Sequence, residues 1–104
     1  MAFVEWLKYI GIRYFNHSPN EGRRTAREGD KLKKMGMSRG FPDIEIPYPR
    51  HQKHGLYIEF KSKTGKLTPS QKDWLEHLNS NGYVAVVCRS FDEARKVTTE
   101  YLKK

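Results

Sequence analysis

Glu59 and Lys61 stand two residues apart in a run where Leu56, Ile58 and Phe60 alternate with Tyr57, Glu59 and Lys61. Alternation of that period belongs to a β-strand and puts Glu59 and Lys61 on one face. Asp43 opens an earlier run, in which Ile44 and Ile46 alternate with Asp43 and Glu45. The polar stretch between the two runs contains Gly55 and suits an antiparallel hairpin, which brings Asp43 beside Glu59. Two carboxylates and one ammonium then meet at one spot. Carboxylate oxygens are hard donors suited to Mg²⁺ or Mn²⁺. An ion held there acidifies its water and offsets charge building on a phosphate, and a neighbouring lysine adds a point charge. This is equipment for hydrolysing a phosphodiester. An isolated Glu-x-Lys is more often an ion pair on a solvated face; Pro42-Asp43 one hairpin away, in a basic chain, favours the chemistry.

Several elements must position these groups. Phe3, Leu7 and Ile10 recur at helical spacing, with Gly11 to end the helix and Glu5 on its opposite, solvated side. Residues 12–17 read as a strand, stopped by Ser18-Pro19-Asn20. Residues 23–35 read as a charged helix closed by Gly36; its Arg23, Arg24, Arg27, Lys31, Lys33 and Lys34 suit contacts with backbone phosphates. Thr68-Pro69-Ser70-Gln71 is a capping box with proline at the first helical position. The helix it opens sets Trp74, Leu75 and Leu78 on one face, and Gln71 shares that face, where a polar group needs a partner. Residues 83–88 form an apolar run fit for a strand buried on both faces. Ser90-Phe91-Asp92-Glu93 offers a second capping box, opening a helix with the stripe Phe91, Ala94, Val97 and Tyr101. The order α-β-α-β-β-α-β-α is an α/β fold, a mixed sheet flanked by helices, whose last strand–helix–strand unit is a parallel crossover.

Composition narrows the setting. At 104 residues and 12.3 kDa, residues 1–104 are expected to form one domain. Twenty Lys and Arg against 12 Asp and Glu give a net charge of +8, suited to phosphate-rich partners. No apolar stretch is long enough to cross a membrane, and Glu5 and Lys8 make the N-terminus unlike a signal peptide. The one cysteine, Cys88, excludes an intrachain disulfide framework and a multi-cysteine zinc site, which points to a reducing, cytoplasmic setting. Cys88 reads as an inert core thiol. His51 and His54 lack further metal-type partners and suit loop solvation or DNA contact, while His17 reads as a plain turn histidine, with the mouth of the site as its alternative place. Without a glycine-rich loop followed by Lys-Ser/Thr, no nucleotide cofactor is expected.

Gly40-Phe41-Pro42-Asp43, Gly55-Leu56-Tyr57-Ile58-Glu59-Phe60-Lys61, Gly65-Lys66-Leu67-Thr68 and Gln71 together resemble the PD-(D/E)xK nuclease superfamily, and more narrowly its virus-type replication-repair nuclease (VRR-Nuc) domain. The segment His17-Ser18-Pro19-Asn20-Glu21-Gly22, Gly82-Tyr83 and Phe91-Asp92-Glu93-Ala94 resemble small phage-encoded members, so a phage-encoded chain would act in the host cytoplasm. The resemblance implies a restriction-endonuclease-like core and an endonuclease, dependent on Mg²⁺ or Mn²⁺, that acts on branched DNA. Stand-alone members resemble homodimeric nucleases of four-way (Holliday) junctions. Carried over, Asp43 and Glu59 are metal ligands with the backbone carbonyl of Phe60, Lys61 is the catalytic lysine, and Gln71 is the glutamine that follows it. The family's usual glutamate on the first helix has two candidates: Glu21, after the first strand, and Glu5. A homodimer's apolar surface is expected from Trp6 and Tyr9, which lie off the Phe3, Leu7, Ile10 face. The rival reading is a non-catalytic basic nucleic-acid-binding module on the same fold, against which the Asp43, Glu59, Lys61 set argues.

Overall fold

The computed structural model describes residues 1–18 and 39–104. Helix α1 (Ala2–Tyr9) leads to strand β1 (Asn16–His17), then β2 (Ile44–Ile46), β3 (Leu56–Phe60), helix α2 (Pro69–Ser80), strand β4 (Val84–Cys88) and helix α3 (Phe91–Leu102). The expected helix at 23–35 lies outside the described residues. The strands form a sheet in the order β1-β2-β3-β4. β1 and β3 each run antiparallel to β2, with Ile44 opposite Ile58, and β4 runs parallel to β3 with Glu59 opposite Val87. The mixed sheet and its parallel crossover therefore match the expectation.

Helices cover both faces of the sheet. Against one face lie α1 and α3, closing a core of Phe3, Leu7, Ile44, Ile46, Leu56, Ile58, Cys88, Ala94 and Tyr101. Against the other lies α2, with Tyr57, Leu78 and Ala85 buried and Phe41, Trp74, Leu75 and Tyr83 packed around them. The second core corrects a simple reading of the alternation in β3. Its polar face is roofed, and Tyr57 is buried with its hydroxyl donating to Glu45 at 2.6 Å. That bond and burial push the Tyr57 hydroxyl pKa up, burial contributing most.

The capping signals act largely as read. Thr68 accepts from the Gln71 N–H, Gln71 returns a bond to the Thr68 N–H, and Pro69 opens α2. Ser90 caps α3 by accepting from the Glu93 N–H. Gly40 has φ +81°, and a Cβ there would lie 2.6 Å from the Ser70 backbone. Glycine thus lets the segment leading to Asp43 lie directly on the first turn of α2.

Some expectations shift. Ile10 is exposed, outside α1, so the buried face of that helix is Phe3 and Leu7. The first strand is shorter than 12–17, because the Tyr48 hydroxyl takes the Arg13 and Tyr14 N–H groups at 3.3 Å each. Trp6 packs within the chain, against Phe3 and edge-on to Phe91, which leaves Tyr9 as the exposed member of the expected pairing surface. β4 is apolar on both faces but stands at the sheet edge, where Asn79 brackets the outward N–H and C=O of Ala85 at 2.9 Å each. That carboxamide blunts the edge against a further strand.

In α3 Ala94, Thr98 and Tyr101 are buried, Val97 is partly buried against the same core, and Phe91 is exposed, so Thr98 joins the expected stripe. The Thr98 hydroxyl is fully buried without a hydrogen-bond partner. Thr98→Val removes that orphan at nearly constant volume and is expected to stabilise the fold by about 1 kcal/mol. A denaturant-melt midpoint that moves down instead would show that the hydroxyl has a partner in solution. Among the described residues, no helix is long and apolar enough to cross a membrane.

Candidate active site

The polar groups singled out by spacing converge between the sheet and the first turn of α2. Asp43 precedes β2 and is held from two sides. Its carbonyl accepts from the Ser18 N–H at 2.9 Å, and its Oδ2 accepts from the Phe60 N–H at 2.7 Å. One bond ties its backbone to the chain beyond β1, and the other ties its carboxylate to the end of β3. Asp43 is 8% exposed and Glu59 4%, so two acidic groups sit in the interior where unpaired charge is costly.

The Glu59 carboxyl lies near enough to bear on Asp43. Burial raises the pKa of Asp43 above its ordinary value, opposed by the Phe60 N–H, then by the charges of His17 and Lys61, and by the Glu59 carboxyl. Like charges placed close together in a buried site disfavour each other's ionised form.

Lys61 follows directly after β3. Its N–H donates to the Cys88 carbonyl at 3.0 Å, which carries the parallel pairing one residue past the strand. The side chain is therefore on the Glu59 face, as the alternation requires. Gln71, on the first turn of α2, donates from Nε2 to Glu59 Oε2 at 3.2 Å. Its Oε1 is taken by the Thr68 N–H at 2.9 Å, which leaves the amide nitrogen to face the carboxylate. One side chain thus completes the cap and supplies the inward partner that the helix face demanded. A glutamate would cap equally well but would set a third negative charge against Glu59.

Other candidates stand elsewhere. Glu5 is exposed on α1, as its side of the helix implied. Glu21, Arg23, Arg24, Arg27, Lys31, Lys33 and Lys34 lie outside the described residues. His51 Nε2 is 3.1 Å from the Tyr101 carbonyl and the His54 ring packs on Tyr83, so both have partners within the fold. Burial pushes the Cys88 thiol up to about 11, consistent with an inert core residue. Among the described residues, no group of three or more His, Cys, Asp and Glu comes together in a way that could hold an ion. Spacing did not show the Asp43–Phe60 bond, because a backbone partner leaves no mark on residue type.

A family model described as VRR-NUC domain matches residues 2–92. A solved structure titled "VRR_NUC domain protein" superposes with a TM-score of 0.81 and 33% sequence identity, over 97% of this chain and 82% of that one. Among curated proteins none matches.

Proposed function

Since the chain belongs to the VRR-NUC domain family, a family of nucleases, we propose that it is a divalent-metal-dependent endonuclease acting on branched DNA, four-way junctions above all. The observation that carries this reading is the pair of buried, neighbouring carboxyls of Asp43 and Glu59 with Lys61 on the same face. Folding two acids against each other is unfavourable unless a cation or a proton sits with them. Their hard oxygens fit Mg²⁺ or Mn²⁺. An N–H and C=O of one residue in an extended strand point the same way, so the Phe60 carbonyl faces the side on which its N–H meets Asp43. Asp43, Glu59 and the Phe60 carbonyl are the groups that would hold the ion. Bound there, the ion lowers the pKa of water and stabilises charge on the phosphate.

The protein's own groups do the rest. Lys61 orients the attacking water and offsets negative charge as the phosphate gains a fifth oxygen. Gln71 donates to Glu59 Oε2 and so orients that carboxylate from the first turn of α2. Glu21 supplies a further carboxylate. Resolving a four-way junction takes two cuts on opposed strands, which a two-fold dimer provides by symmetry; Tyr9, 86% exposed, is available for such pairing. Cleavage of labelled duplex, flap, fork and four-way junction, beside sedimentation at micromolar protein, tests substrate and assembly together. A dimer cutting junctions fastest is the expected outcome, and a monomer that prefers flaps overturns both parts.

The basic segment carries a separate expectation. Arg23, Arg24, Arg27, Lys31 and Lys34 contact backbone phosphates, so affinity falls steeply with salt. Each contact contributes about 0.9 to the slope of log K against log salt on duplex DNA. Replacing Arg24 and Arg27 together flattens that slope in a fluorescence titration; an unchanged slope returns both to solvent.

A further inference from the structure

β4 ends at Cys88, and the next residue, Arg89, reaches across the loop that follows Lys61. Its Nη1 donates to the Ser62 carbonyl and to the Gly65 carbonyl, each at 2.7 Å. The same loop is closed from within, where the Gly65 N–H donates to the Ser62 carbonyl at 3.3 Å and to Ser62 Oγ at 3.0 Å. Two carbonyl dipoles aimed at one nitrogen repel each other unless a cation binds them, and charge-assisted bonds of this length are strong ones.

This clasp bears on Lys61. A Cβ placed on Gly65 would lie 3.7 Å from Lys61 Cδ, so the open side of Gly65 faces the aliphatic stem of the lysine. The end of β4 thus meets Lys61 twice: the Cys88 carbonyl takes its N–H, and Arg89 holds the loop that runs beside its side chain. A four-carbon stem is flexible when free, and an ammonium that must meet a water and a phosphate works only from a narrow set of positions. The hydrogen bonds of Arg89 go to the loop rather than to Asp43 or Glu59.

We propose that Arg89 is a positioning residue for the nuclease reaction, clasping the 62–65 loop against the stem of Lys61 so that its ammonium stays at the carboxylate pair. The inference rests on the reading of Lys61 as the lysine that orients the water. Both clasp bonds come from one nitrogen, so a lysine ammonium can replace them, whereas a methionine cannot.

The test is steady-state cleavage of whichever labelled DNA the unaltered protein cuts best among duplex, flap and four-way junction, with Mn²⁺. Arg89→Met is expected to lower kcat by roughly 10- to 100-fold with KM unchanged, and to leave Mn²⁺ affinity in calorimetry as it was. Arg89→Lys recovers most of the lost kcat. Gly65→Ala, whose Cβ would stand 2.9 Å from Ser62 Oγ, displaces that hydroxyl from the Gly65 N–H, loosens the loop without touching Arg89 and lowers kcat in the same direction. Should Arg89→Met not fold, the last two variants decide. Unchanged kcat in Arg89→Met or in Gly65→Ala overturns the proposal. So does a salt slope flattened by about 0.9 in Arg89→Met, which would mark a direct phosphate contact. If Lys61→Ala itself still cuts, the reading of the active site has failed rather than the clasp.

Discussion

Lys61→Ala loses cleavage by about 10²–10³-fold and keeps its affinity for Mn²⁺, whereas Asp43→Asn loses both, yet melts higher than the unaltered protein in chelator. The first half follows from charge: removing one preorganised positive group from a phosphate-transfer site costs about that factor, while the lysine contributes nothing to holding a cation. The second half follows from burial. The carboxamide oxygen introduced by Asp43→Asn would still accept the Phe60 N–H, so the local fold is kept, but the charge that burial disfavours is gone. Because the folded chain holds a proton at Asp43 more readily than the unfolded one, lowering the pH toward that raised range stabilises the metal-free protein. The melting gap between Asp43→Asn and the parent therefore narrows as the pH falls from neutral. A gap that widens on acidification would mean that Asp43 is stabilised as a carboxylate. Mn²⁺ calorimetry, cleavage rates and melts in chelator at several pH values check the three statements separately.

Glu21→Gln is expected to lower cleavage by orders of magnitude, with Glu5→Gln nearly silent. Asp43 and Glu59 make a pair and no more among the described residues, so a further carboxylate must come from elsewhere in the chain. Glu5 is exposed on the side of α1 away from Phe3 and Leu7, which pack on the sheet face opposite to Asp43 and Glu59. Reaching the carboxylate pair from there would require passing through the core. Glu21 follows Ser18, whose N–H already bonds the Asp43 carbonyl, so the chain leaves the site's edge just before it. Single-turnover cleavage by the two variants decides between them, and the reverse order of effects would refute the assignment.

The site was legible where it depends on period and spacing. Alternation placed Glu59 and Lys61 together, the hairpin brought Asp43 beside them, and the helical face of Trp74, Leu75 and Leu78 turned Gln71 inward onto Glu59. What covers a face was not legible. Alternation says that the two faces of β3 differ, and it does not say that α2 roofs the polar one; Tyr57 is buried there because Glu45 satisfies its hydroxyl. The short first strand escaped prediction for a related reason, since a tyrosine side chain distant in sequence takes the N–H groups that a ladder would have used. Thr98, buried beside Val97, shows the limit of reading a stripe from apolarity alone, and Arg89 gave no signal because its partners are backbone carbonyls. The pairing surface expected at Trp6 was drawn from one helix, whereas the partner that covers it, Phe91, sits at the start of another.

If Asp43 and Glu59 form a metal-dependent phosphodiester-cutting centre, a single cleavage gel of the unaltered protein reveals it. Labelled four-way junction and duplex DNA are incubated with Mg²⁺ or Mn²⁺ in one set of lanes and with chelator in the other. The expected result is cut strands with either ion, none in chelator, and recovery when the ion is restored. Tight binding of the same DNA with no product in either metal would contradict it and leave a binding module built on a nuclease fold.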